Sequence, residues 1–136
     1  MQEPASDRTS PSLRGARLSK HADYQRVYQE SRKHFSASMT YFFSPRSASL
    51  PAVCGPRVGL TAGRVLGKAV ERNRIKRRVR EAVRKNLRCL HSNVDIVLHP
   101  RKSVLEMDFL RLVGEIGRVF TSVEASLKKG TQEADA

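Results

Sequence analysis

No apolar run in this 136-residue chain approaches the ~20 residues a helix needs to cross a bilayer, and the opening MQEPASDRTSPSLRG holds no signal-peptide core. A soluble, cytoplasmic protein is therefore expected. Cysteine is scarce. Cys54 and Cys89 are lone thiols, and His21, His34, His91 and His99 are scattered without the paired spacing of zinc sites, so no metal ligands are assigned. No D-x-D or H-x-x-x-H spacing offers paired carboxylates or a placed base, and GRVLGKAV at 63–70 lacks both the P-loop spacing and the Ser or Thr after Lys. Catalysis by protein side chains alone is not expected. Acidic residues are also few: 13 Asp and Glu face 26 Lys and Arg, a formal charge of +13. Such a balance favours a polyanionic partner, either nucleic acid or an anionic membrane surface.

What is present fits one domain, since ordinary domains run ~100–150 residues. Residues 1–16 combine Pro, Ser, Gly and charge and cannot offset their ordering entropy by burial, so they read as a disordered arm. Residues 129–136 read as a disordered tail, leaving 17–128 as the folded domain. A long loop is expected from Ser44 to Pro56, and there is no internal repeat. The first helix is placed from an N-cap at Ser19 to about Glu30, with Tyr24, Val27 and Tyr28 on one face. Strands are expected at 39–43, 57–62 and 94–98 from their β-branched and aromatic content. A last helix is expected over roughly 105–127, where Leu105, Phe109, Leu112, Val113, Ile116, Val119, Phe120 and Val123 recur at helical spacing. Gly114 and Gly117 weaken that helix by ~1 kcal/mol each relative to Ala.

The segment ERNRIKRRVREAVRK at 71–85 holds eight basic residues and two acidic ones. Over 72–90, Ile75, Val79, Ala82, Val83 and Leu90 fall on one helical stripe that can dock on a sheet. Asn73, Lys76, Arg77, Arg80 and Arg84 then gather on one flank, and Arg74, Arg78 and Lys85 on the other. A run of charge is ordinarily a solvated helix face. Here nine basic residues between Arg72 and Arg88 face one acid, Glu81, so i,i+4 pairs cannot neutralise the repulsion. The charge is local, because residues 106–136 carry six acidic and four basic residues. Arginine predominates over lysine, and its planar fork matches phosphate oxygens. Tyr24, Tyr28 and Phe42 are candidates for stacking unpaired bases at ~1–3 kcal/mol a ring. The plainer reading of aromatic residues at such spacing is core.

With those residues in view, the chain resembles the protein component of bacterial ribonuclease P. The resemblance rests on RVGLTAGRVLGKAVERNRIKRRVREAV from Arg57 to Val83, with its Arg-Asn-Arg motif at Arg72, Asn73 and Arg74, on DYQRVY at 23–28 and on DIVLHPRK at 95–102. It spans about residues 18–125. It implies an α+β fold like ribosomal protein S5 domain 2, in the order α-β-β-β-α-β-α, with a small mixed sheet and a left-handed β-α-β crossover. It also implies a protein that assists a catalytic RNA, which requires Mg2+, in hydrolytic removal of the 5′ leader of precursor tRNA. On this resemblance no protein residue is catalytic, and the protein itself binds no cofactor or metal. Arg64, Lys68, Arg72 and Arg74 hold the RNA subunit. Tyr24, Tyr28, Thr40 and Phe42, with Asn73, Lys76, Arg77 and Arg80, border a cleft for the single-stranded leader. The rival readings from composition are a ribosomal or other structural RNA-binding protein and a DNA-binding helix protein.

Overall fold

The computed structural model describes residues 17, 18, 20–45 and 55–135, with side chains described as far as residue 128. The elements are α1 (His21–Glu30), β1 (His34–Phe35), β2 (Met39–Pro45), β3 (Arg57–Leu60), α2 (Ala69–Asn86), β4 (Val94–Pro100) and α3 (Phe109–Asp135), with short 3-10 turns at Arg64–Leu66, Leu87–Cys89 and Lys102–Leu105. Their order is the expected α-β-β-β-α-β-α. The four strands lie in the order β1-β2-β4-β3. Strand β2 is antiparallel to both β1 and β4, whereas β3 is parallel to β4, so α2 is the crossover between two parallel neighbours.

Strand alternation divides the core into two faces. Register sets Tyr41 opposite Leu98 and Phe43 opposite Ile96, and this face packs against the α2 stripe of Ile75, Val79, Ala82 and Val83 and against Leu112, Ile116, Phe120 and Val123 of α3. The opposite face carries Phe42 beside Val97 and packs against Val27, Tyr24 and Tyr28 of α1, with Leu18. Because β4 is covered on both sides, Val94, Asp95, Ile96, Val97 and Leu98 are all buried. Each apolar side chain so enclosed contributes about 1.5–3 kcal/mol.

Several boundaries differ from the sequence reading, each for a local reason. Helix α2 starts at Ala69 rather than 72, because the Glu71 carboxylate accepts the Lys68 backbone N–H at 3.0 Å and closes the first turn. Helix α3 starts at Phe109 rather than 105: residues 102–105 form a 3-10 turn, and Asp108 Oδ2 caps the helix by accepting the Leu110 N–H at 3.1 Å. Its backbone stays helical to Asp135, beyond the expected end near 127, as no proline interrupts it. Strand β1 has two residues, too few for a periodic signal. Ser19, residues 1–16, residues 46–54 of the expected loop and Cys54 lie outside the described residues. Gly117 has a packing role: a Cβ there would lie 2.9 Å from Asn86 Oδ1, while Asn86 Nδ2 donates to the carbonyls of Ala82 at 2.9 Å and Val113 at 2.8 Å. The glycine lets α3 approach α2 closely enough for that bond.

Candidate nucleic-acid interface

Helix α1 is fixed on its face of the sheet by buried charge. Asp95 is 0% exposed and accepts from Arg57 Nε at 2.9 Å and Nη2 at 2.8 Å, and from Arg26 of α1. Asp23 of α1 adds a contact to Arg57 Nη1 at 3.5 Å. The Asp95 hydrogen bond is the main reason the Arg57 guanidinium is held above its ordinary pKa. Tyr24 is a second fastening. Its hydroxyl donates to the Leu18 carbonyl at 3.1 Å and accepts the Leu60 N–H at 3.1 Å, and burial pushes its pKa up. Gly59 is required beneath it, since a Cβ there would sit 2.5 Å from the hydroxyl oxygen. Tyr24 is thus committed to the framework at its polar tip.

Tyr28 is more open. Its ring meets Phe42 edge-on at 5.0 Å and His99 at 5.7 Å, and Phe42 and His99 are 5.4 Å apart. The Tyr28 hydroxyl and His99 Nε2 are hydrogen-bonded at 2.9 Å, and all three rings are half-buried. Burial, then the charge of Lys33, holds the His99 imidazole below its ordinary pKa, which keeps it neutral at pH 7. Thr40 lies opposite His99 in the register and so shares this face. Tyr28, Thr40 and Phe42 therefore gather as expected. His99 joins them unexpectedly, although its signal was legible: it stands two residues after Val97, on the same side of β4.

The cationic flank is placed differently from the expectation of one shared cleft. Because α2 packs on the other face of the sheet, Arg80 is the residue of that flank that meets the α1 side at the β3 edge among the described residues. There it lines a cavity of about 250 Å³ with Arg17, Leu18, Tyr24 and Val58. Burial, then the nearby Arg17 charge, pulls the Arg80 pKa down. Asn73, Lys76 and Arg77 continue from Arg80 along one helical ridge by i,i+3 and i,i+4 steps. Among the described residues they make no hydrogen bond, ion pair or cation–π contact with Tyr28, Thr40 or Phe42.

At the start of α2, Arg64, Lys68 and Arg74 are exposed, and Arg72 is half-buried with its Nε enclosed and without a hydrogen-bond partner among the described residues. The surface around them carries Val65 and Val70, exposed by 91% and 76%. None of these four cations is in an ion pair among the described residues. Two arginines of the same helix do leave the pool. Arg84 makes a two-point contact with Glu81 at 3.1 and 2.5 Å, and Arg78 donates to the carbonyls of Val104 at 3.0 Å and of Met107, with its guanidinium 5.9 Å from the Phe109 ring centre. Among the described residues no three His, Cys, Asp or Glu side chains converge as a metal site.

The ribonuclease P family model matches residues 13–124. The chain belongs to the ribonuclease P protein family. Ribonuclease P protein components of Chloroflexus aggregans and Symbiobacterium thermophilum are 40% identical over 107 residues and 36% identical over 104, alignments that cover 78% and 76% of this chain and 76% and 87% of those proteins. The ribonuclease P protein of Thermotoga maritima superposes with a TM-score of 0.66 at 25% identity, covering 78% of this chain and 96% of that one. That of Staphylococcus aureus, at 24% identity, shares the fold with a TM-score of 0.65 over 79% and 94%. The chain is accordingly a protein subunit of an endoribonuclease ribonucleoprotein that processes the 5′ ends of tRNA.

Proposed function

We propose that the protein serves two RNAs from two separate surfaces. Arg64, Lys68, Arg72 and Arg74 hold phosphates of the catalytic RNA, with the exposed Val65 and Val70 inside the same footprint. The unpaired 5′ leader of precursor tRNA runs over the sheet face at Tyr28, Thr40, Phe42 and His99. It passes the β3 edge near Tyr24, where Arg80 and the ridge of Arg77, Lys76 and Asn73 receive its backbone. The protein supplies binding and orientation. The phosphodiester hydrolysis and its Mg2+ belong to the RNA subunit, in the cytoplasm.

The observation that carries this reading is the half-buried Tyr28–Phe42–His99 cluster on a face whose carboxylates are already answered. Asp23 and Asp95 are paired with arginines, and Glu30 is engaged by Arg26 and the Ser44 hydroxyl. Rings open to solvent without free acids beside them suit bases joined by phosphates. Removing the ring in Tyr28→Ala should cost ~1–3 kcal/mol of holoenzyme affinity for a precursor with a long leader, with little dependence on base identity. A precursor with a minimal leader cannot reach the ring and should be indifferent. Equal weakening of both substrates by a folded variant would make Tyr28 a core residue and end the cleft assignment. Reconstitution with the catalytic RNA at low Mg2+ separates this reading from a merely structural RNA-binding protein, which would leave precursor turnover unchanged.

A further inference from the structure

No residue pattern locates strand β1, although the resemblance implies a third strand before α2, and its second residue is the one exposed Phe or Tyr among the described residues. Phe35 is 69% exposed and has no ring contact among them. Register fixes which way it faces. Phe35 lies opposite Thr40, and Thr40 lies opposite His99, so the three side chains form one row across β1, β2 and β4 on the α1 face. The neighbouring row, His34, Tyr41 and Leu98, points to the other face, where His34 stacks on Tyr41 at 5.2 Å. Phe35 therefore continues the surface of Tyr28, Phe42 and His99 beyond the end of α1.

The exposed charge beside the row is cationic, while the Glu115 carboxylate at the β1–β2 turn is buried and taken up by Ser36 and Ser38. Lys33 is close enough to act on the His99 ring, and Arg101 extends the ladder by donating its N–H to the Ser38 carbonyl at 2.8 Å, while its guanidinium reaches the Ala37 carbonyl at 3.4 Å. Neither cation is in an ion pair among the described residues. A single ring offers about 150–250 Å², far below the roughly 1,200 Å² or more of a stable protein interface. Stacking of one base needs no more than one ring face.

We propose that Phe35 is an outlying stacking platform for a second unpaired nucleotide of the leader, with Lys33 and Arg101 flanking it at the phosphates. The inference rests on the cleft reading above and extends it by one position. Two strand spacings separate Phe35 from His99, roughly 10 Å, which is about three steps of stacked bases. The base on Phe35 is thus a different nucleotide from the base at Tyr28. Phe35 acts on substrates whose leaders are long enough to cross β2.

The test uses holoenzyme reconstituted with the catalytic RNA and precursors of graded leader length, including leaders with a single abasic position. Phe35→Ala should weaken long-leader binding by about 5- to 100-fold, and Phe35→Tyr should retain it. One distal abasic position should weaken the unaltered protein by the same factor and add nothing to Phe35→Ala. Unchanged long-leader affinity would overturn the proposal. So would equal weakening of a minimal-leader precursor, affinity lost for the catalytic RNA alone, or loss of self-association as the only effect. Tyr28→Ala run in parallel separates the two readings. If it shows leader-dependent loss while Phe35→Ala shows none, only the extension fails; if neither does, the cleft reading fails with it.

Discussion

Replacing Asp95 by Ala should be among the most damaging single changes in the domain. Asp95 is fully enclosed and, among the described residues, holds two guanidiniums, those of Arg57 and Arg26, whose side chains are 15% and 28% exposed. Removing the acid leaves both cations at a low-dielectric site with their hydrogen bonds to it unmade and the longer contacts to Asp23 at 3.5 Å and Glu30 at 3.4 Å remaining, a loss of about 3–5 kcal/mol for a buried pair. An exposed pair would cost less than ~1 kcal/mol, so burial decides the magnitude. In a domain of this size each kcal/mol lowers Tm by roughly 3–5 °C, which predicts a fall of about 10–20 °C in a thermal melt followed by circular dichroism. Replacing Arg26, Asp95 and Arg57 together by apolar residues of similar volume should recover most of the loss, because the penalty comes from stranded charge. Loss of Asp95 also frees α1, so long-leader affinity should fall at temperatures where the variant is still folded. A melt lowered by only a few degrees, or a triple variant no better than the single one, would refute the argument.

Replacing both Arg72 and Arg74 by Ala should weaken association with the catalytic RNA and reduce its salt dependence by about two units of slope, one per phosphate contact. Unchanged affinity and slope in a folded protein would remove them from that contact. The His99 titration gives a pH dependence of defined sign. Burial and Lys33 lower its pKa from 6.5, the fold favours the neutral ring, and its stability is present above pH 6.5 and lost as pH falls through the folded value. The groups facing it are the Tyr28 hydroxyl and Lys33, since Thr40 and Phe42 do not titrate in this range. His99→Phe should therefore lose less stability between pH 7 and 5 than the unaltered protein; His34, lowered by burial and Arg32, keeps a residual of the same sign. Identical pH profiles for the two proteins would show that His99 does not titrate with folding.

The apolar pattern carried most of the fold. The α2 stripe read from Ile75, Val79, Ala82 and Val83 is the buried stripe, with Leu90 beside it in the same core, because a 3.6-residue period needs no tertiary information to be seen. What failed were features set by single side chains reaching across local turns: the Asp108 cap, the Glu71 bond to Lys68, and a two-residue strand that exists only by pairing with β2. The site was half legible for a similar reason. Periodicity places Arg80, Arg77, Lys76 and Asn73 on one ridge, but it does not say which side of the sheet the helix takes. Packing against Tyr41 and Leu98 rather than Phe42 and Val97 puts that ridge across the β3 edge from the rings it was expected to join.

Net charge alone does not single out candidate RNA-binding arginines; the partners of each guanidinium within the fold do. Arg26 and Arg57 are bound to Asp95, Arg84 to Glu81, and Arg78 to the carbonyls of Val104 and Met107. Arg26 and Arg57 lock α1 to the sheet, Arg78 ties α2 to the turn before α3, and Arg84 is engaged within α2 itself, so all four have little left to offer a phosphate. Arg64, Arg72, Arg74, Arg77 and Arg80 have no such partner among the described residues. Leaving like charges unanswered along one helix opposes folding through self-repulsion, and phosphates placed on them relieve it. The same residue type therefore builds the scaffold where an acid or carbonyl lies within reach, and is left for the proposed RNA surface where the fold withholds one.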